Sequence, residues 1–61
     1  MTRRELAHRE IDGLHISLHW HPREDAVSVS VADIRTDEVF ERRVPRERAF
    51  HAFEHPFAYL A

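Results

Sequence analysis

The chain has 61 residues, too few for more than one domain, and a domain this short buries only about 60% of its unfolded surface. Its stability margin is therefore thin. It contains no cysteine, which excludes disulfides, thiol nucleophiles and thiolate zinc sites. Nine basic residues, all arginine, against eleven acidic ones leave a net charge of −2, which gives no overall attraction to nucleic acid or an anionic membrane.

The first ten residues, Met1 to Glu10, carry charges throughout, so we expect no secretory signal in them. No apolar run approaches the roughly 20 residues that span a bilayer. These features predict a single cytoplasmic domain over residues 1–61 that does not contact a membrane.

The dipeptide Asp12-Gly13 holds the only glycine and predicts a tight turn, because such turns need positive φ. The segment before it, Glu5 to Ile11, alternates loosely and is typical of an edge strand. A two-residue turn would place Ala7 and Ile11 on the inner face. A bulged turn would place Leu6 and His8 there instead, and the sequence leaves both registers open.

Two alternating runs, Leu14 to His21 and Val27 to Ala32, form the strongest pattern in the chain. Every second residue points to the same side of a strand, so each run predicts a strand with one apolar face. A slip of one residue would bury histidines against valines, which specifies one register for this hairpin. The aligned pairs are Trp20 with Val27, Leu18 with Val29, and Ile16 with Val31.

A second reversal around residues 35–37 leads to a further strand, Val39 to Val44. Phe40 and Val44 can face the core from this strand. Arg42 would lie on the same face, so we expect it near the edge of the sheet, with its stem buried and its guanidinium reaching solvent or a carboxylate.

Pro45 suits the first turn of a helix, where its missing N–H costs nothing, and predicts a helix from about Arg46 to Glu54. Its inner stripe is expected to be Ala49, Phe50 and Phe53. Pro56 should end the helix, and the apolar tail after it should dock on the core or on a second chain. The predicted core comprises Leu18, Trp20, Val29, Phe50 and Phe53.

The predicted fold class is α+β, an antiparallel meander of three or four strands with one C-terminal helix packed on one face. The tail His55-Pro56-Phe57-Ala58-Tyr59, the turn Ile11-Asp12-Gly13 and the strand Val29-Ser30-Val31-Ala32-Asp33 together resemble a group of short uncharacterised actinobacterial proteins. The resemblance covers most of the chain. It implies one compact natural domain and assigns no activity.

Histidines on the outer face are the sharpest candidate for chemistry. His15, His19 and His21 project to the same side of one strand, and imidazole is a ligand for zinc, copper or nickel. A solvated polar face explains the same pattern without a metal, and no cofactor is otherwise implied. His51 and His55, with Glu47 one turn before, offer a weaker metal pair on the helix that lacks a catalytic base.

An arginine cluster is the candidate for nucleic-acid binding, because some DNA-binding domains lay a sheet backed by a helix in a groove. Its members are Arg42, Arg43, Arg46 and Arg48. Glu41 and Glu47 interrupt the cluster, and phosphate neutralisation normally supplies most of the affinity, so this function ranks second. We expect no independent catalysis, because serines beside histidines on a flat exposed face lack a pocket to exclude water.

Self-association is the leading prediction. Six aromatic residues and several valines are much to bury under one short helix, and aromatic side chains often anchor interfaces. We expect Phe57 and Tyr59 to form the contact of a homodimer. The predicted function is therefore a small non-catalytic protein-interaction domain, with nucleic-acid binding as the alternative and metal binding third.

Overall fold

The computed structural model describes the backbone of residues 4–60 and the side chains of residues 4–59. Four strands form one antiparallel sheet in the order β1-β2-β3-β4, which confirms the predicted meander with four strands. Short helical segments follow the last strand. The elements are β1 (Arg4–Ile11), β2 (Leu14–His21), β3 (Ala26–Asp33), β4 (Glu38–Val44), a 3-10 turn (Arg46–Arg48), α1 (Ala49–Glu54) and α2 (Phe57–Leu60).

The first turn has two residues, which settles the register that the sequence left open. Asp12 and Gly13 both have positive φ, at 51° and 79°, as this type of hairpin turn requires. Ile11 therefore pairs with Leu14, and Ala7 pairs with Leu18. Both alanine and isoleucine lie on the inner face, as the two-residue alternative predicts.

The central hairpin has the predicted register, with Leu18 opposite Val29 at its centre. Its four-residue loop ends at Asp25, whose φ of 50° is left-handed, and the next loop ends at Asp37, with φ of 62°. Aspartate tolerates this conformation better than most residues. The two aspartates therefore serve in these loops as glycine does in the first turn.

The core lies between the inner face of the sheet and α1, which contacts β2 and β3. It is built from branched aliphatic residues and one alanine: Ile16, Leu18, Val27, Val29, Val31, Val44 and Ala52. Trp20 and Phe53 pack against it and are partly buried. The predicted core positions Leu18 and Val29 are thus confirmed.

Phe50 was expected in the core and is 78% exposed, so this prediction is wrong. The buried stripe of α1 runs through Ala49, Ala52 and Phe53, which follow the spacing of one helical face. The helix lies close to the sheet because Ala52, which is fully buried, has almost no side chain to hold the two apart. A large side chain would not fit between the helix and the sheet at this position.

β4 is less covered than expected. Phe40 lies on the inner face, opposite Val31, but remains 49% exposed, and Arg42 beside it is exposed as well. The expected burial of the Arg42 stem is therefore wrong: α1 crosses β2 and β3, and α2, which contacts β4, leaves Arg42 exposed. Only Val44, at the end of β4, enters the core.

Arg9 ties the first strand to the end of α1. Its guanidinium donates hydrogen bonds to the carbonyl of Phe53, at 2.9 and 3.2 Å, and to that of Glu54 at 2.9 Å. The carbonyls at a helix C-terminus have no partner within the helix, and the helix dipole favours a cation there. Arg9 also lies over the ring of Phe53, 5.4 Å from its centroid.

Within the described residues, the helices are too short and too polar for any of them to cross a membrane.

Candidate functional site

The outer face of the sheet, on the side away from α1, carries a hydrogen-bonded polar network. His21 Nε2 lies 2.8 Å from the hydroxyl of Ser28, which donates to Glu41 Oε2 at 2.7 Å. Beside them, His19 Nε2 and Ser30 Oγ lie 3.2 Å apart. Three neighbouring strands therefore contribute to one network.

This face was expected to be solvated, and at its centre that expectation is wrong. Ser28 is completely buried, and Ser17 and His19 are almost as inaccessible. The small serine on the central strand β3 lies between the longer side chains of His21 and Glu41 on its neighbours. These two side chains flank the buried serine on either side.

The Ser28 cluster contains the residue types of a hydrolase site but the opposite hydrogen-bond direction. A serine hydroxyl has one proton, and that of Ser28 goes to Glu41, so His21 Nε2 must donate to the hydroxyl oxygen. A catalytic histidine instead accepts the proton of the serine. Since Ser28 is also inaccessible, we interpret the cluster as structural.

The three histidines predicted as metal ligands each contact a different set of neighbours. His15 Nδ1 lies 3.1 Å from His8 Nε2, and His15 Nε2 lies 3.2 Å from Glu10. His19 and His21 contact the two serines described above. No group of three or more potential ligands converges for a metal ion within the part of the chain that the structure describes.

The helix histidines form a second small cluster. The rings of His51 and His55 lie 4.9 Å apart, and His51 Nδ1 is 2.7 Å from the hydroxyl of Tyr59. This contact joins α1 to α2. It occupies Nδ1 of His51, so a metal would have to bind this ring through Nε2.

The structure separates the arginines predicted to bind nucleic acid. Arg42 lies on the inner face of β4 and Arg43 on the outer face. Arg43 pairs with Glu24 at 2.6 Å, and Arg46 pairs with Asp25 at 3.0 Å, so carboxylates of the β2–β3 loop hold two of the four. Arg48 is exposed on the 3-10 turn.

The tail predicted to make an interface, which contains α2, contacts β4 and lies beside the first hairpin. Phe57 is 60% exposed, whereas Tyr59 is partly buried against the core. An open groove of about 510 Å³ lies beside Phe57, between α2 and the first hairpin. Its apolar walls are Ile11, Leu14, Ile16, Pro56, Phe57 and Ala58, with Arg9, Asp12, Glu54 and His55 as its polar lining.

Two residues that organise these surfaces are not indicated by the sequence patterns. Arg9, which holds the C-terminal end of α1, lies on the apolar face of a loosely alternating strand. Glu41 was treated as an interruption of the arginine cluster, but it bonds the buried serine. The pairing register of β3 with β4 could have indicated this role for Glu41, because it places Glu41 on the outer face, two residues from Arg43.

Comparisons with known protein families, with curated proteins and with solved structures find no match to this chain.

Proposed function

We propose that this chain is a non-catalytic interaction domain whose partner is a second copy of itself. The observation that carries the proposal is the number of large apolar side chains outside the core. They are Leu6, Ile11, Ile34, Val39, Phe40, Phe50 and Phe57. Single exposed hydrophobes are ordinary, but contiguous ones mark interaction surfaces.

Four of these side chains lie on two features of the surface. Val39, which is 67% exposed, and Phe40 are on the outermost strand β4, on its outer and inner faces respectively. Ile11 and Phe57 line the same groove. A second copy would cover such surfaces and add stability by mass action, which benefits a domain with so small a core.

Solution molar mass tests the proposal. We expect light scattering after size exclusion, over a concentration series at neutral pH, to rise from 7.3 kDa towards twice that mass. The melting temperature should rise with concentration in the same series. A mass of 7.3 kDa and a constant melting temperature at all concentrations would refute self-association.

Two phenylalanine variants examine the contact predicted through Phe57 and Tyr59. Phe57→Ser removes an exposed ring beside the groove, and Phe50→Ser removes a still more exposed ring on α1 away from it. Weaker association in the first variant alone would assign the contact to the groove. Equal association in both would assign it to another surface.

A further inference from the structure

We infer that two copies of the chain pair through β4, antiparallel and with Arg42 opposite Arg42 of the second copy, to form one continuous sheet of eight strands. This inference rests on the proposed self-association and places its surface on β4 rather than at the groove beside Phe57. An edge strand presents unpaired N–H and C=O groups that a second strand can satisfy.

The two edges of the sheet differ in a way that favours β4. In β1 the register shifts between Glu5 and Ala7, so the strand has a bulge at Leu6. Bulges distort the ladder and protect an edge from pairing. β4 pairs with β3 without a shift from Glu38 to Val44, which leaves a regular edge of seven residues.

Symmetry restricts the registers that such a dimer can adopt. A two-fold axis perpendicular to the sheet keeps each residue on its own face, so inner residues pair with inner ones and outer with outer. The axis must then pass midway between one residue of β4 and the same residue of the second copy, so that these two residues face each other. The candidates near the middle of the strand are Phe40, Glu41, Arg42 and Arg43.

Centring on Arg42 gives complementary pairs on both faces of the sheet. Glu41 then faces Arg43 of the second copy, and this ion pair occurs twice on the outer face. Phe40 faces Val44 on the inner face, also twice, and so covers a ring that is half exposed in the single chain. Opposite charges and aromatic–aliphatic pairs directly across two strands are both favourable.

The registers on either side, centred on Glu41 and on Arg43, are worse. Centring on Glu41 opposes the two Glu41 carboxylates and sets Phe40 against Arg42 and Val39 against Arg43. Centring on Arg43 opposes two guanidinium groups and sets Arg42 against Val44. Centring on Phe40 pairs the two rings and sets Glu38 against Arg42 on the inner face, but it sets Glu41 against Val39 on the outer face, so only one face is complementary.

The existing contacts of the paired groups leave room for these bonds. Arg43 gives one terminal nitrogen to Glu24, and a guanidinium has five N–H donors. Glu41 receives the Ser28 hydroxyl on Oε2, and a carboxylate can accept several hydrogen bonds. The unfavourable element is the pair of opposed Arg42 residues, both on the exposed inner surface of β4.

Single cysteines test the register directly, because the chain has none of its own. We expect Arg42→Cys to form a disulfide-linked dimer under mild oxidation, since residues directly opposite have Cβ atoms about 4.5–5.5 Å apart. Arg43→Cys should remain largely unlinked, because its own copy lies diagonally across. Arg48→Cys, exposed but off the strand, reports random collision.

Replacing the central arginine provides a second, non-covalent readout. Arg42→Thr removes the opposed charges and introduces a residue that favours strands, so we expect the dimer dissociation constant to fall about twofold to fivefold. Arg48→Thr, the matched control, should leave it unchanged. Sedimentation equilibrium measures both.

The outcomes separate this inference from the proposed function. A wild-type chain that stays monomeric refutes both. A wild-type dimer in which Arg42→Cys links no better than Arg48→Cys, and Arg42→Thr binds no tighter, refutes pairing through β4 while self-association stands. Preferential linking through Arg43→Cys would overturn the Arg42-centred register.

Discussion

Ser28 and Val29 are consecutive residues of β3, both completely buried, and they point to opposite faces of the sheet. Val29 is covered by a layer of structure, because α1 packs across β2 and β3 on its side. Ser28 lies on the face away from α1, between the side chains of His21 and Glu41 that bond to it. Equal burial therefore has two origins in this fold, apolar packing on one face and hydrogen bonding on the other.

The two origins imply different energetics. Burial of an aliphatic side chain stabilises in proportion to the apolar area removed from water. A buried hydroxyl contributes only as long as its partners are present, and removing it leaves those partners without their hydrogen bond. The outer face should therefore be the more sensitive to the loss of a single polar atom.

Val29→Ala should have the largest effect. It opens a cavity between β3 and the alanine face of α1, and we expect the free energy of unfolding to fall by about 2–3 kcal/mol. Val39→Ala is the matched control, because Val39 is largely exposed and its loss should cost less than about 0.5 kcal/mol. Urea titrations at a protein concentration below association give both values. Equal losses would show that α1 does not cover Val29.

Ser28→Ala should cost less, about 1–2 kcal/mol, because it removes the group that Glu41 and His21 share. A double-mutant cycle with Glu41→Gln measures the coupling between the two residues directly, again from urea unfolding. We expect a coupling of at least about 0.5 kcal/mol. A cycle that closes with no coupling would mean that Ser28 is buried by shape alone.

The sequence predicted the inner face of the sheet far better than the outer one. Alternation at Leu14 to His21 and Val27 to Ala32 specifies a register, because any slip buries histidine. It carries no information on how side chains on the polar face bond to one another. The hydrogen bond from Ser28 to Glu41 depends on the register of β4, a strand whose own pattern is broken by Arg42.

The candidate surfaces were predictable only in part, for a related reason. The apolar tail drew attention to Phe57, which is exposed beside the groove as an interface residue must be. Tyr59 has the same aromatic character, but its hydroxyl bonds His51 and its ring packs inward. That β4 is the more regular of the two edge strands depends on the bulge in β1, which the sequence does not indicate.

Phe50→Ser should have the smallest effect on the free energy of unfolding. It tests the exposed side of α1 separately from the side that packs on the sheet. Phe50 and Phe53 lie on the same helix, but only Phe53 packs against the core and lies beneath the Arg9 guanidinium. We expect Phe50→Ser to change the free energy of unfolding by less than about 0.5 kcal/mol, and Phe53→Ser to lower it by more than about 1 kcal/mol. Thermal and urea unfolding of the two variants provide the comparison. A large loss in Phe50→Ser would mean that this ring is buried in solution, and α1 would then have to be rotated about its axis from the position that buries Ala52.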